Sequence, residues 1–592
     1  MRSSFLQDLP ELGIAWRAQS APAPRSVLVN DGLAAQLGLD PQRLRTRTGA
    51  ALLTGTDLPA GTRPAALAYA GHQFGGWSPR LGDGRALLLG DLPDVDAAPP
   101  KTAGGCASAG AEPPRPPAAA ATGARRAPDP ASLRELHLKG TGRTPFARGA
   151  ADGNAVLGPM LREHVVGEFL HSVGIPTTRS LGVAATGALV SRPDRMDPRR
   201  TVQLPGAVLA RVADSHVRVG TFQYALSTGG PELVRRLAHW CITRHHPGAA
   251  DAANPPLELY RRVVFAQARL VAAWEAVGFV HGVMNTDNMA ISGQGIDYGP
   301  CAFLDAHDPD AVFSSIDRTG RYRYRNQAAA AQWNLARCAE ALLPVLDAEP
   351  DRAVDLAQEA LAEFPSAYEA ERLRLFAARI GVRVQTRGQE AAECGDSPDR
   401  ADAGGLAEPA QVPARGAVAG SREGAAHPAA SVVEDLLGLM AEHAADHTDT
   451  FRALIPVVEA GEPGWCAADG SGSGSTRPGA EHAEEGTRDE PGGGAEPPLD
   501  PGLAADPRFR EWLARWHQLG PDPALMRRSA PRVVPRNHAL QEALDAAEAG
   551  EIGPVREILD AVSHPFEHRP GNTRLGAPSG AQTRGFTTYC GT

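Results

Sequence analysis

Residues 154–173 read as a helix that is apolar most of the way round. Leu157, Leu161, Val165, Phe169 and Val173 form one stripe, and Met160, Val166 and Leu170 form another. A helix of this kind is buried on nearly every side, and Gly174-Ile175-Pro176 ends it. Glu163 shares its face with Val166, Gly167 and Leu170 at i+3, i+4 and i+7, where an unpaired carboxylate is costly to bury. It therefore needs a cation. Lys139, at the end of a short strand expected at Leu136–Lys139, is the first candidate. The alternatives are a purely structural salt bridge, or Glu168 as the lysine's partner.

A second pattern lies downstream. Val263–Val277 is an amphipathic helix with Val263, Leu270, Val271, Trp274 and Val277 apolar, and Gly278 supplies its stop. The segment HGVMNTDNMAISGQGIDYGP follows. Met289–Ser292 and Ile296–Asp297 are expected as two short strands around Gly293-Gln294-Gly295, a hairpin that folds Asn288 and Asp297 towards each other. Asp287, Asn288 and Asp297 would then converge as protein kinases arrange a catalytic Asp and two metal ligands, although no His-Arg-Asp motif is present. Asp and Asn are also common turn residues, so this segment alone favours an ordinary loop. The pairing of Lys139 with Glu163 favours the site, because a strand lysine held by a helix glutamate is how the kinase small lobe positions nucleotide phosphates.

Two further stretches add candidate phosphate chemistry. Gly82-Asp83-Gly84-Arg85 sits between a turn and a strand expected at Ala86–Leu89; a lone Gly-x-Gly also marks a plain hairpin. An Asp83 facing a triphosphate would repel it unless Arg85 or a metal neutralised the charge, which makes the loop a poor phosphate cradle of the kinase kind. Arg211 and Arg218 can be solvated surface. Together with Lys139 they can instead form a three-cation cluster for polyphosphate.

These residues lie in longer motifs: GHQFGGW, LGDGRALLLGD, LKGTGRTPFARGAADG, the Arg162-Glu163-His164 helix and GIPTTRSLGV. PGAVLARVADSHVRVGTFQY and HGVMNTDNMAISGQGIDYGPCAFLD follow, then DHTDTFRAL, PRNHALQEAL and the terminal YCGT. The chain thereby resembles the selenoprotein O family, the YdiU-type protein adenylyltransferases with a pseudokinase fold. The resemblance implies an α+β, protein-kinase-like two-lobed fold that binds ATP in a flipped orientation and transfers AMP to Ser, Thr or Tyr hydroxyls of proteins. It places Gly82, Gly84, Arg85, Lys139, Asp152, Gly153, Arg211, Arg218 and Asp297 around the nucleotide, with Glu163 supporting Lys139. Asp287 becomes the catalytic base, and Asn288 and Asp297 hold Mg²⁺ or Mn²⁺. ATP is the co-substrate; UMP transfer and self-AMPylation are compatible with the same site. A γ-phosphoryl-transferring kinase and a catalytically inactive nucleotide-binding scaffold are the competing functions.

Composition changes the domain count. At 592 residues the chain is long enough for about four domains, but Gly and Pro concentrate in tracts that cannot form a core. The expected organisation is an N-terminal segment (1–60), a small lobe (61–205, disordered insert about 97–132) and a large lobe with the catalytic loop (206–384). A second insert (385–431) and a helical C-terminal extension (432–592, disordered insert about 470–499) complete it. Helical periodicity recurs at Asn326–Leu343, Arg352–Phe364, Val432–His447 and Asn537–Ala549, while Asp446, Thr448, Phe451 and Arg452 are assigned to packing. A net charge of -10 argues against a general nucleic-acid binder. No apolar run of membrane-spanning length and no signal peptide is evident, so the expected location is cytoplasmic.

The seven cysteines include no C-x-x-C pair, which argues against a metal or disulfide framework. Family resemblance places a selenocysteine or cysteine near the C-terminus, which makes Cys590 a candidate redox residue. Cys301, four residues beyond Asp297, reads first as a small buried apolar residue, with a transient bridge to Cys590 as the regulatory alternative. His281 is read as a structural residue of the catalytic loop, and His72 has no assigned role.

Overall fold

A computed structural model describes residues 1–95, 129–194, 197, 199–384, 427–460, 496–569, 572–578 and 585–589. Most of each expected insert, and Cys590, lie outside these residues.

The strands in chain order are β1 (Gly13–Ala15), β2 (Arg25–Val29), β3 (Ala65–Leu67), β4 (Gly71–Gln73), β5 (Gly76–Ser78) and β6 (Ala86–Pro93). They continue with β7 (Leu133–Lys139), β8 (Ala155–Val156), β9 (Arg179–Pro193), β10 (Thr201–Ala213), β11 (Phe279–Val280) and β12 (Ala302–Phe303). The main sheet runs β1-β3-β6-β7-β10-β9-β2, with β8 added to β10, and every pairing is antiparallel. Two small hairpin-like pairs, β4–β5 and β11–β12, lie apart from it. The remaining regular elements among the described residues are helices, giving a mixed α/β architecture.

The strand β7, LRELHLK, explains how the sheet faces its neighbours. Side chains alternate along a strand, so Leu136 and Leu138 enter an aliphatic core with Leu33, Leu37, Leu44 and Leu53 from the N-terminal helices. Glu135, His137 and Lys139 take the opposite face. Register sets Arg211 of β10 opposite His137, and Leu209 opposite Lys139.

The helix expected at 154–173 spans Leu157–Ser172. It starts later because Ala155 and Val156 pair with Ala207 and Gly206 of β10 before the chain turns helical. Its first turn has no side-chain cap of its own; instead Gly158 donates its N–H to Glu548 Oε1 at 3.1 Å. Arg162 Nη2 donates to Gln541 Oε1 at 3.1 Å. The helices Asn537–Glu548 and Gly553–Ser563 thus brace the helix that carries Glu163.

The hairpin expected around Gly293 does not form. Gly293 makes the turn with φ +78°, but its flanks pair elsewhere. Ala290 bridges Arg218 and Gly295 bridges Thr177, with Ile291 N–H donated to Val217 O at 2.9 Å and Thr178 N–H to Gly295 O at 2.9 Å. Backbone groups already bonded to other segments cannot also close a two-stranded ladder.

The expected helix at Val263–Val277 is the second half of Pro255–Ala276, and that at Asn326–Leu343 is Gln327–Leu346. The Arg352–Phe364 pattern divides into Pro350–Leu361 and Phe364–Arg379. Pro428–His443 replaces Val432–His447, ending where Ala444 takes φ +50°. Asp446 and Arg452 are indeed structural: Arg536, itself buried, pairs with Asp446, Asp305 and Asp449, and Arg452 pairs with Glu496. Among the described residues no helix is long and apolar enough to cross a membrane.

Candidate functional site

Lys139 leaves the end of β7 and meets two carboxylates, Glu163 Oε1 and Asp297 Oδ1. The expected Lys139–Glu163 pair is present; Glu168 belongs instead to Arg179, at 2.7 Å. Lys139 and Glu163 are both only 5% exposed, so each charge depends on the other. Arg211 Nη1 reaches Asp297 Oδ1 at 3.2 Å. Burial opposes the charge on Asp297, but Lys139, Arg211 and Arg218 outweigh it and hold the carboxyl well below the usual carboxylate range. Asp297 also takes φ +72°, a left-handed conformation costly for a residue with a β-carbon and concentrated at functional sites.

Arg218 completes the cluster at one remove. It stands at the N-terminus of the helix that follows β10, donates from Nη1 to the carbonyl oxygen of Asp287 at 3.0 Å, and lies 4.5 Å from the centre of the Tyr69 ring. Its other guanidinium nitrogen faces Asp83 Oδ1 at 3.5 Å. Asp83 is therefore buried inside the protein, where it accepts from His137 Nε2 at 2.8 Å and from Leu67 N–H at 3.1 Å. The expectation that Asp83 would face and repel a triphosphate is corrected: Asp83 is buried, Arg218 balances its charge and His137 holds it by a hydrogen bond.

Asp287 sits in a short 3₁₀ turn, Thr286–Asn288. Its Oδ2 accepts from Gln73 Nε2 at 3.3 Å, while its Oδ1 is buried with no hydrogen-bond partner among the described residues. Burial raises its pKa, and Arg218 pulls the other way. The turn is clamped by the β4–β5 hairpin: His72 N–H donates to Thr286 Oγ1 at 2.7 Å and Phe74 N–H to Asn285 Oδ1 at 3.0 Å. Gly71 allows this approach, because a β-carbon there would lie 2.8 Å from Thr286 Oγ1. Gln73, whose Oε1 is held by Arg148 Nη1 at 2.5 Å, is a site residue that sequence reasoning missed. The available signal was a polar residue beside the glycines of GHQFGGW.

The donors suit a hard divalent cation. Asn288 commits its amide nitrogen to Val283 O at 3.0 Å, which leaves the amide oxygen as the end that could meet a cation. Asp297 adds carboxylate oxygen, the ligand type Mg²⁺ and Mn²⁺ favour. No group of three or more His, Cys, Asp or Glu residues able to hold a metal occurs among the described residues. Such an ion would thus complete its shell with Asn288 and with oxygens of the substrate or water.

The other expected positions make contacts of their own. Asp152 pairs with Arg192 Nη1 at 2.8 Å and accepts from Asn154 N–H at 2.9 Å; none of these contacts reaches Lys139 or Asp297. Gly153 (φ +73°) lies against the backbone of Gly142, and Gly82 and Gly84 lie against Phe146 and Ala147. Arg85 uses its backbone carbonyl to accept from Gly140 N–H at 2.7 Å. These glycines therefore let the 82–85 loop and the 140–153 loop pack closely. His281 is structural as expected, fully buried with Nε2 2.9 Å from Ile296 O. Cys301 is fully buried, burial pushes its thiol up to about 12, and its Sγ donates to Tyr298 O at 3.0 Å. The small buried residue is the reading this favours.

A family model described as "Protein adenylyltransferase SelO" matches residues 11–104 and 124–520. A protein nucleotidyltransferase YdiU from Mycolicibacterium paratuberculosis is 43% identical over 592 residues, 100% of this chain and 98% of the relative. One from Pseudarthrobacter chlorophenolicus is 44% identical over 590 residues, covering 99% and 97%. One from Cereibacter sphaeroides is 41% identical over 593 residues, covering 100% and 99%.

Proposed function

The chain belongs to the protein adenylyltransferase SelO family, and from that premise we propose that the Lys139–Asp297 cluster binds ATP for transfer of AMP to protein hydroxyls. The observation that carries this reading is the convergence of Lys139, Arg211 and Asp297, with Glu163 behind the lysine and Arg218 behind Asp287. Membership makes the protein a nucleotidyltransferase. The finer assignments are ours: a kinase-like two-lobed arrangement, ATP as donor, Ser, Thr or Tyr as acceptor, a cytoplasmic setting, and Mg²⁺ or Mn²⁺ as the ion.

In this mechanism the substrate hydroxyl oxygen attacks the α-phosphorus, a P–O bond forms, and the bond to the β-phosphate oxygen breaks with pyrophosphate leaving. The hydroxyl proton passes to Asp287, whose Oδ1 has no other partner among the described residues. Lys139, Arg211 and Arg218 face the β and γ phosphates and stabilise the charge that grows on the leaving group. Asn288 and Asp297 would hold the divalent ion, which when bound would neutralise phosphate charge. Glu163 keeps Lys139 in position, and Gln73 orients Asp287.

With Asp83 buried, charge repulsion no longer separates AMP transfer from γ-phosphoryl transfer, so labelled nucleotide decides between them. Incubation with ATP labelled at the α position should label protein, whereas γ label should be released as pyrophosphate. Label reaching protein from the γ position alone would overturn the proposal.

A further inference from the structure

Beneath the cations lies a chain of buried polar groups that the transfer mechanism leaves unused. His137 is fully buried between Asp83 and Arg211. Its Nε2 is 2.8 Å from Asp83 Oδ2 and its Nδ1 is 3.2 Å from Arg211 Nη2. A guanidinium only donates, so Nδ1 must be the acceptor and Nε2 must carry the proton given to Asp83. The ring therefore has one workable tautomer, and a second proton on Nδ1 would point at the arginine. Burial lowers the His137 pKa against the pull of Asp83, in keeping with a neutral ring. His216 stacks on the other face, with ring centres 4.3 Å apart and planes 21° apart; Glu135 fixes that ring at 2.9 Å.

The other oxygen of the same carboxylate turns to Arg218, with Asp83 Oδ1 3.5 Å from its Nη2. Strand register dictates the arrangement: His137 lies opposite Leu88 of β6 and Arg211 of β10, and Asp83 enters from the loop just before β6.

We propose that Asp83 and His137 are positioning residues for nucleotide transfer, one buried carboxylate orienting Arg218 directly and Arg211 through the imidazole ring. The proposal rests on the reading of Arg211 and Arg218 as groups that receive the phosphate chain. Both arginines have long, flexible side chains, and a fork aimed in advance loses less freedom when it meets phosphate. The relay thus acts on ATP affinity through its phosphates, with little effect on the adenosine end.

Three substitutions at one position separate this from a packing role. His137→Asn places an amide oxygen near the site of Nδ1 and keeps the acceptor for Arg211. His137→Gln reaches towards Asp83 but leaves Arg211 without that acceptor, and His137→Leu removes both contacts. We expect His137→Asn, which keeps the acceptor but loses its anchor on Asp83, to raise the KM for ATP less than His137→Gln, which should raise it about tenfold, the worth of one hydrogen bond to a charged group. Inhibition by adenosine should be unchanged in both, and the effect of His137→Gln should vanish in an Arg211→Ala background. If KM instead follows Tm across the three variants, or adenosine affinity falls with ATP affinity, the residue is structural and the proposal fails. If Arg211→Ala weakens ATP binding and His137→Gln does not, the relay alone is wrong. If Arg211→Ala leaves ATP affinity intact, the phosphate-binding reading of the arginine falls with it. Should His137→Gln not fold, Asp83→Asn keeps the shape and removes the charge. It should raise the KM for ATP without changing adenosine inhibition, and an unchanged KM would overturn the relay.

Discussion

Lys139 is shared between Glu163 and Asp297, and removing it exposes an asymmetry. Lys139→Ala leaves two carboxylates facing each other in a largely buried site, whereas Asp297→Ala leaves Lys139 still paired with Glu163. Both should abolish α-label transfer, but Lys139→Ala should also cost about 3 kcal/mol of stability, the scale for breaking a buried pair. Asp297→Ala should melt close to the wild type. Equal melting temperatures for the two variants would show that Glu163 does not depend on the lysine. The pair was legible in sequence because a carboxylate on an apolar helix face demands a cation. The Asp83–His137 contact was not, although the alternation in LRELHLK already put Glu135, His137 and Lys139 on one face. Knowing what that face meets requires the register of β6, β7 and β10, which depends on long-range pairing.

The helix that carries Glu163 depends on another element for its N-terminus. Glu548 accepts the Gly158 N–H and places negative charge where the helix dipole favours it. Glu548→Ala should therefore destabilise the protein by about 1 kcal/mol, as loss of an N-terminal cap does. Chemical denaturation checks this, and Glu548→Gln, which keeps an acceptor but removes the charge, should recover part of the loss. No recovery would mean that the charge outweighs the hydrogen bond. At this scale the sequence revealed which segments are helical, because 3.6-residue periodicity is local. It misplaced the Gly293 hairpin, since Gly-Gln-Gly signals a turn but not the partners of its flanks, here Val217 and Thr177–Thr178.

Stability of the whole molecule should depend on Glu275, at the end of the Pro255–Ala276 helix. It borders a cleft of about 840 Å³ between the 364–379 and 428–443 helices. Burial raises its pKa from 4.5 to about 7, against the Tyr368 hydroxyl and Arg372. The folded protein then holds a proton that the unfolded chain releases near pH 4.5, so stability falls as pH rises through that window and stays lower above it. Glu275→Gln keeps an acceptor for Tyr368 and should remove a difference on the order of 3 kcal/mol between pH 5 and pH 8. Urea melts at the two pH values test this; identical pH dependence in variant and wild type would refute it. Such a contribution was invisible in sequence, where Glu275 stands in an amphipathic helix like any other charged position. The bracing of the Glu163 helix has a consequence for biosynthesis. Gly158 and the residue that caps it are 390 positions apart, a gap that a ribosome translating about 5–20 residues per second crosses in roughly 20 to 80 s. In the later part of that interval the nascent chain carries Lys139, Arg211 and Asp287 without the support that sets Glu163 in place, so ATP consumption should wait until Glu548 has been made.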